Sequence, residues 1–161
     1  MAPEVGDRAP DVLLTRDNSR TTVRLDELRD DRPLLVLFYP FAFSSTCTEE
    51  MCAVAEDYSS YEALGAGVVG ISVDSPYTNA RFARECGASF PFLSDFNRTA
   101  ARAFGVYRET HGELEGVSER AAFVIDADGT IQYRWVGEHP GVFPPLDEIR
   151  AAVAAAAGRG T

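Results

Sequence analysis

Cys47 is the residue with the widest chemistry open to it, and its neighbours decide which chemistry that is. It closes the stretch Tyr39-Pro40-Phe41-Ala42-Phe43-Ser44-Ser45-Thr46-Cys47. Before that stretch, Leu34-Leu35-Val36-Leu37-Phe38 is an apolar run with the length and composition of a buried strand. After it, Met51, Val54, Ala55 and Tyr58 recur at helical spacing. The chain thus leaves a strand, turns at a proline and enters a helix, with Cys47 in the first turn. Ser44, Ser45 and Thr46 are all good N-cap types. Unpaired backbone N–H groups and the positive end of the helix dipole favour an anion there. The thiolate is the nucleophilic form of cysteine. A small free cysteine on an apolar stripe is also an ordinary core residue, so position alone leaves both readings open.

The surrounding residues add a resemblance. Pro40-x3-Ser44-x2-Cys47 resembles the P-x3-[T/S]-x2-C active-site motif of the peroxiredoxins, and Phe38-Tyr39 before it and Thr48-x-Glu50 after it fit the same family. Gly6-x2-Ala9-Pro10-Asp11 resembles the family's N-terminal signature, and Arg120 stands where the family keeps its second active-site arginine. The likeness runs from about residue 5 to 155. It implies that the Cys47 thiolate attacks a hydroperoxide, becomes a sulfenic acid and is then reduced by a thiol.

Each matched residue has a physical task in that reaction. Arg120 supplies a permanent charge and a rigid donor fork for the thiolate and the peroxide oxygens. Ser44 offers a hydroxyl as donor or acceptor; its plainer role is helix capping. Pro40 lacks an N–H and walls the thiol from bulk water. Glu50, one turn after Cys47, orients Arg120 or merely favours the first turns of the helix. The threonine the family most often carries is serine here, which keeps the hydroxyl and loses a methyl.

Two further cysteines are candidates to resolve the sulfenic acid. Cys52 matches the C-x4-C spacing of the bacterioferritin-comigratory-protein group. On an intact helix, however, its Cα would lie about 8.6 Å from that of Cys47, the two pointing about 140° apart. A disulfide requires under about 7 Å, so this pairing needs the helix to unwind locally. Cys86 closes a later helix whose family counterparts sometimes carry the resolver. The third possibility is a one-cysteine mechanism with an external thiol. Ser94-Asp95-Phe96 and Arg120-Ala121-Ala122-Phe123 are similar to the one-cysteine alkyl hydroperoxide reductase E type.

The elements that must hold these residues follow from pattern. Residues 11–24 read as a hairpin, with a short helical turn at Asp26-Glu27-Leu28. A strand at 34–39 leads into a helix over about 45–64, ended by Gly65 and Gly67. Val68 to Asp74 is a buried parallel-type strand. Ser75-Pro76 opens a helix that ends at Gly87. A short strand at 91–95, a helix at 98–104 and a strand at 106–108 follow, and residues 109–119 read as a loop. Ala121–Asp126 and Thr130–Val136 are strands joined by an Asp-Gly turn. Leu146–Ala157 is an amphipathic helix, and residues 158–161 are expected to fray. This order predicts an α/β fold: a central mixed sheet with helices on both faces and an N-terminal β-hairpin. That is the thioredoxin-like architecture the resemblance implies, with the catalytic turn at the carboxyl end of a central strand.

With 161 residues the chain is expected to form one domain. No run approaches the roughly 18 apolar residues of a membrane span. The N-terminal residues lack a basic-then-apolar pattern, so no signal peptide is read and a cytoplasmic location is expected. Three cysteines argue against a structural disulfide framework. The chain has 25 acidic residues, 15 arginines and no lysine, for a net charge of −10. Such a balance repels nucleic acid and anionic membranes. It fits either a GC-rich genome or a salt-rich cytoplasm in which self-repulsion is screened. No metal, haem or nucleotide motif is visible, and His111 and His139 read as surface residues. Trp135 reads as a core or dimer-surface residue. Asp126-Ala127-Asp128-Gly129 resembles the start of a calcium loop, but no Glu follows at the required position.

The expected partners are a hydroperoxide, a thioredoxin- or glutaredoxin-like protein or a small thiol as reductant, and a second copy in a homodimer. Rival functions on the same fold are thiol–disulfide exchange and peroxide sensing. Exchange would want Cys-x-x-Cys, where this chain has Ser44-x2-Cys47.

Overall fold

The apolar run that precedes Cys47 lies at the middle of the sheet. A computed structural model describes residues 2–159. The run forms β3 (Leu34–Phe38), buried at every position. It pairs in parallel with β4 (Gly67–Ser72), which pairs in parallel with β5 (Phe92–Ser94). On its other side β3 pairs antiparallel with β8 (Ala121–Ile125), which pairs antiparallel with β9 (Ile131–Val136). The N-terminal hairpin, β1 (Leu13–Thr15) and β2 (Thr22–Arg24), extends the β5 edge. The resulting seven-stranded order is β2-β1-β5-β4-β3-β8-β9.

Because strand side chains alternate between faces, β3 feeds two cores. Leu34, Val36 and Phe38 join one, with Leu25 of α1 (Leu25–Arg29) and Ala100 and Ala101 of α5 (Thr99–Ala103). Leu35, Leu37 and Tyr39 join the other. The second core is covered by α2 (Ser45–Glu56), α3 (Tyr58–Ala63), α4 (Pro76–Cys86) and α6 (Leu146–Arg159). Helices therefore lie on both faces of a mixed sheet, as the sequence predicts. Gly70 brings α2 close: a Cβ there would meet Met51 Cε at 2.7 Å and the Tyr39 ring at 3.2 Å.

Three expectations need correction. The helix predicted over 45–64 is two helices, broken at Asp57, whose carboxylate accepts from Ser60 Oγ (2.7 Å) and Arg150 Nε (2.9 Å). Segment 109–119, read as a loop, is most of a hairpin formed by β6 (Tyr107–His111) and β7 (Leu114–Ser118). Gly112, at φ 62°, opens its two-residue turn. No residue of β6 is buried and only the end of β7, Gly116 to Ser118, is, so the hairpin lacks the apolar alternation that marks a strand. Finally, α6 continues through Gly158 and Arg159, which were expected to fray; Gly160 and Thr161 lie outside the described residues.

Candidate active site

The turn between β3 and α2 is held from below before it is occupied from above. Ala42 N–H donates to Asp74 Oδ2 at 2.7 Å, and Ser72 Oγ donates to the same oxygen at 2.7 Å. The buried Tyr39 hydroxyl donates to Asn79 Oδ1 at 2.7 Å. Ser118 Oγ, from β7, donates to the Tyr39 carbonyl at 3.1 Å. Phe43 takes a left-handed backbone, φ 69°, immediately before the helix. Its ring lies 5.0 Å from that of Phe82 on α4.

Ser44 then caps α2 through its backbone: Thr48 N–H donates to the Ser44 carbonyl at 2.8 Å. Its hydroxyl does not complete a capping bond, and instead donates to the Phe41 carbonyl at 3.1 Å. Cys47 follows, fully buried and the one free cysteine among the described residues.

Arg120, between β7 and β8, reaches over this sulfur. Its Nη2 lies 3.2 Å from Cys47 Sγ, and its Nη1 donates to Glu50 Oε1 at 2.6 Å. Nη2 and Nε both donate to the Pro140 carbonyl, at 2.8 and 3.1 Å. Arg120 is 2% exposed and Glu50 is fully buried. The fork thus bridges a sulfur, a carboxylate and a carbonyl at once, which a point-charge ammonium cannot do. Burial pushes the Glu50 carboxyl up from 4.5 to about 7, against the opposing pull of Arg120. Burial would lower the Arg120 guanidinium, but the charges of Glu50 and Cys47 outweigh it and raise it. Glu50 Oε2 has no hydrogen-bond partner among the described residues.

A pocket of about 180 Å³ opens above this group, lined by Pro40, Phe41, Ser44, His111, Arg120 and Pro140 among others. The structure therefore brings together Pro40, Ser44, Cys47, Glu50 and Arg120. It does not bring Cys52 or Cys86 to Cys47. They are bonded to each other, joining α2 to α4 with Cα atoms 4.6 Å apart, a pairing not weighed from the sequence.

Two contributors escape sequence reading. The Pro140 carbonyl is backbone, so no side-chain signal marks it. His111 was expected at the surface, but it lines the pocket with its ring 5.0 Å edge-on to Phe41. Its Nδ1 is enclosed, with no partner among the described residues. His139 is exposed, as expected.

A thiol at a helix start, touched by a buried guanidinium under a small pocket, is an arrangement for nucleophilic attack on a small polar molecule. The model of the AhpC/TSA family matches residues 5–134. Alkyl hydroperoxide reductase E of Mycobacterium tuberculosis is 33% identical over 131 residues, covering 80% of this chain and 82% of that protein. The chloroplastic 2-cysteine peroxiredoxin of Chattonella marina var. antiqua is 31% identical over 145 residues, 84% of this chain and 72% of that one. Among solved structures, peroxidoxin BcpB from Mycobacterium tuberculosis superposes with a TM-score of 0.82 at 33% identity, covering 94% of this chain and 96% of that one. The chain belongs to the AhpC/TSA family, the peroxiredoxins, and is a thiol-dependent peroxidase of thioredoxin-like fold.

Proposed function

We propose that this peroxidase reduces hydrogen peroxide and small organic hydroperoxides through Cys47. The contact that carries the reading is Arg120 Nη2 to Cys47 Sγ at 3.2 Å inside a closed hydrogen-bonded group. The thiolate attacks the terminal peroxide oxygen, the O–O bond breaks, and water or an alcohol leaves while sulfur becomes a sulfenic acid. Arg120 stabilises the charge on sulfur and on the leaving oxygen. Glu50 and the Pro140 carbonyl hold the guanidinium in place. The Ser44 hydroxyl, at the pocket wall, orients the peroxide, and Pro40 closes the wall. A pocket of about 180 Å³ favours small hydroperoxides over bulky ones.

The proposed reductant is a thioredoxin- or glutaredoxin-like protein or a small thiol. The proposed compartment is the cytoplasm, where such thiols are maintained. No helix among the described residues is long and apolar enough to cross a membrane. The proposed assembly is a homodimer. Leu13, Tyr77 and Phe96, 49%, 58% and 56% exposed, line a groove of about 380 Å³ that shares no residue with the pocket over Arg120, and offer it a face. Sedimentation of the wild-type protein tests this; a monomer at micromolar concentration refutes it.

Stopped-flow mixing of the reduced protein with hydrogen peroxide tests the activity. Cys47→Ser should abolish consumption, and Arg120→Ala should slow it by about 10²-fold or more, the usual scale for a removed charge stabiliser. Insulin reduction without peroxide turnover would instead identify an exchange enzyme, and slow oxidation without turnover a sensor.

A further inference from the structure

We propose that Cys52 and Cys86 form the exit of a three-cysteine relay, in which the oxidising equivalent taken up at Cys47 is passed to the Cys52–Cys86 bond. The inference rests on the peroxidase reading above and assigns the route by which Cys47 is regenerated.

The folded chain can hold one of the two candidate disulfides and not the other. Cys47 and Cys52 share α2 (Ser45–Glu56). On an intact helix their Cα atoms are about 8.6 Å apart, beyond the roughly 7 Å limit for a bridge. Cys52 and Cys86 have Cα atoms 4.6 Å apart with both helices formed. The closed fold accommodates the second bond and excludes the first. Cys47 is fully buried, out of reach of a protein reductant, whereas Cys52 and Cys86 are each partly exposed.

The steps balance. Peroxide oxidises the Cys47 thiolate by two electrons to the sulfenic acid. The first turns of α2 open, and the Cys52 thiol attacks Cys47 Sγ. The Cys47–Cys52 bond forms, the S–O bond breaks and water leaves. The Cys86 thiolate then attacks Cys52 Sγ, the Cys52–Cys86 bond forms, and Cys47 departs as thiolate. This last exchange is redox-neutral. An external dithiol, itself becoming a disulfide, returns Cys52 and Cys86 to thiols.

Two features drive the exchange forward. The departing sulfur returns to the guanidinium of Arg120, which stabilises it as an anion, and a stabilised thiolate is the better leaving group. Its departure also lets α2 re-form. Re-formation buries Cys47 and Met51 and restores the Glu50–Arg120 bond at 2.6 Å. Refolding energy is thereby spent on releasing Cys47 rather than on trapping it.

The test is timed acid quench of the fully reduced wild-type protein after one equivalent of hydrogen peroxide, followed by alkylation and peptide mapping. The expected end point is an alkylated Cys47 with Cys52 joined to Cys86, preceded by a transient Cys47–Cys52 species. Cys86→Ser should stop at Cys47–Cys52 and lose at least about tenfold in turnover with a dithiol protein, because the exchange step is missing. Peroxide consumption that ends with Cys47–Cys52 or with a persistent sulfenic acid in the wild type overturns the relay and leaves the peroxidase standing. A Cys52–Cys86 bond that stays closed through turnover with the dithiol also overturns it. A reduced wild-type protein that consumes no peroxide overturns the peroxidase reading and the relay together. The wild-type mapping decides the matter even if the variant does not fold.

Discussion

Glu50 and Arg120 form a buried ion pair whose worth lies in placement more than in stability, since desolvation of both groups offsets most of their attraction. Burial holds the Glu50 carboxyl at about 7, well above its ordinary 4.5. A carboxyl raised in this way favours folding in its protonated form. Its contribution is fully present below pH 4.5 and is lost as pH climbs through 7. The loss amounts to about 3 kcal/mol at 1.36 kcal/mol per pH unit. Urea midpoints of wild type and Glu50→Gln between pH 4.5 and 8 should therefore diverge in slope, the variant lacking this decline; parallel curves would refute the assignment. Arg120→Lys tests the fork directly. A single ammonium cannot serve Sγ, Glu50 and the Pro140 carbonyl together, so the peroxide rate should fall by at least about tenfold while net charge is unchanged.

At the scale of elements, the site depends on how closely α2 lies against β4. Gly70 makes the approach possible, because a Cβ there would press on Met51 and on the buried ring of Tyr39. Gly70→Ala should cost about 1–3 kcal/mol, the usual penalty of overpacking. It should also slow peroxide consumption by tilting the helix that carries Cys47; unchanged stability and rate would show that Met51 absorbs the methyl. The strand–turn–helix unit was legible in the sequence because its signals are local: an apolar run, a proline and helical spacing. Arg120 and Glu50 were legible through motif. The β6–β7 hairpin was not, since neither of its faces is fully buried. The break at Asp57 was not either, because it involves Arg150, which lies 93 residues away. The Cys52–Cys86 bond depends on the packing of α2 against α4, a tertiary fact that spacing along one helix cannot reveal.

The whole molecule carries a net charge of −10, with arginine as its only basic side chain besides two histidines. Repulsion among such charges is long-ranged in dilute buffer and fades as the screening length falls to about 3 Å at molar salt. The thermal midpoint should therefore rise as salt is added from near zero to molar concentrations; identical midpoints would remove the case for adaptation to a saline cytoplasm. Thermal melts must hold the redox state fixed, because the Cys52–Cys86 bond ties α2 to α4 and resists their separation.

The central sheet also works as a bulkhead. Leu35 and Leu37 face the compartment that houses Cys47, while Val36 and Phe38 seal the one behind it. The front compartment can be breached for repair of its sulfur without flooding the rear one. Deuterium uptake under native conditions should accordingly be lopsided, quick along the leading turns of α2 and slow for the amides of β3, β4 and β8.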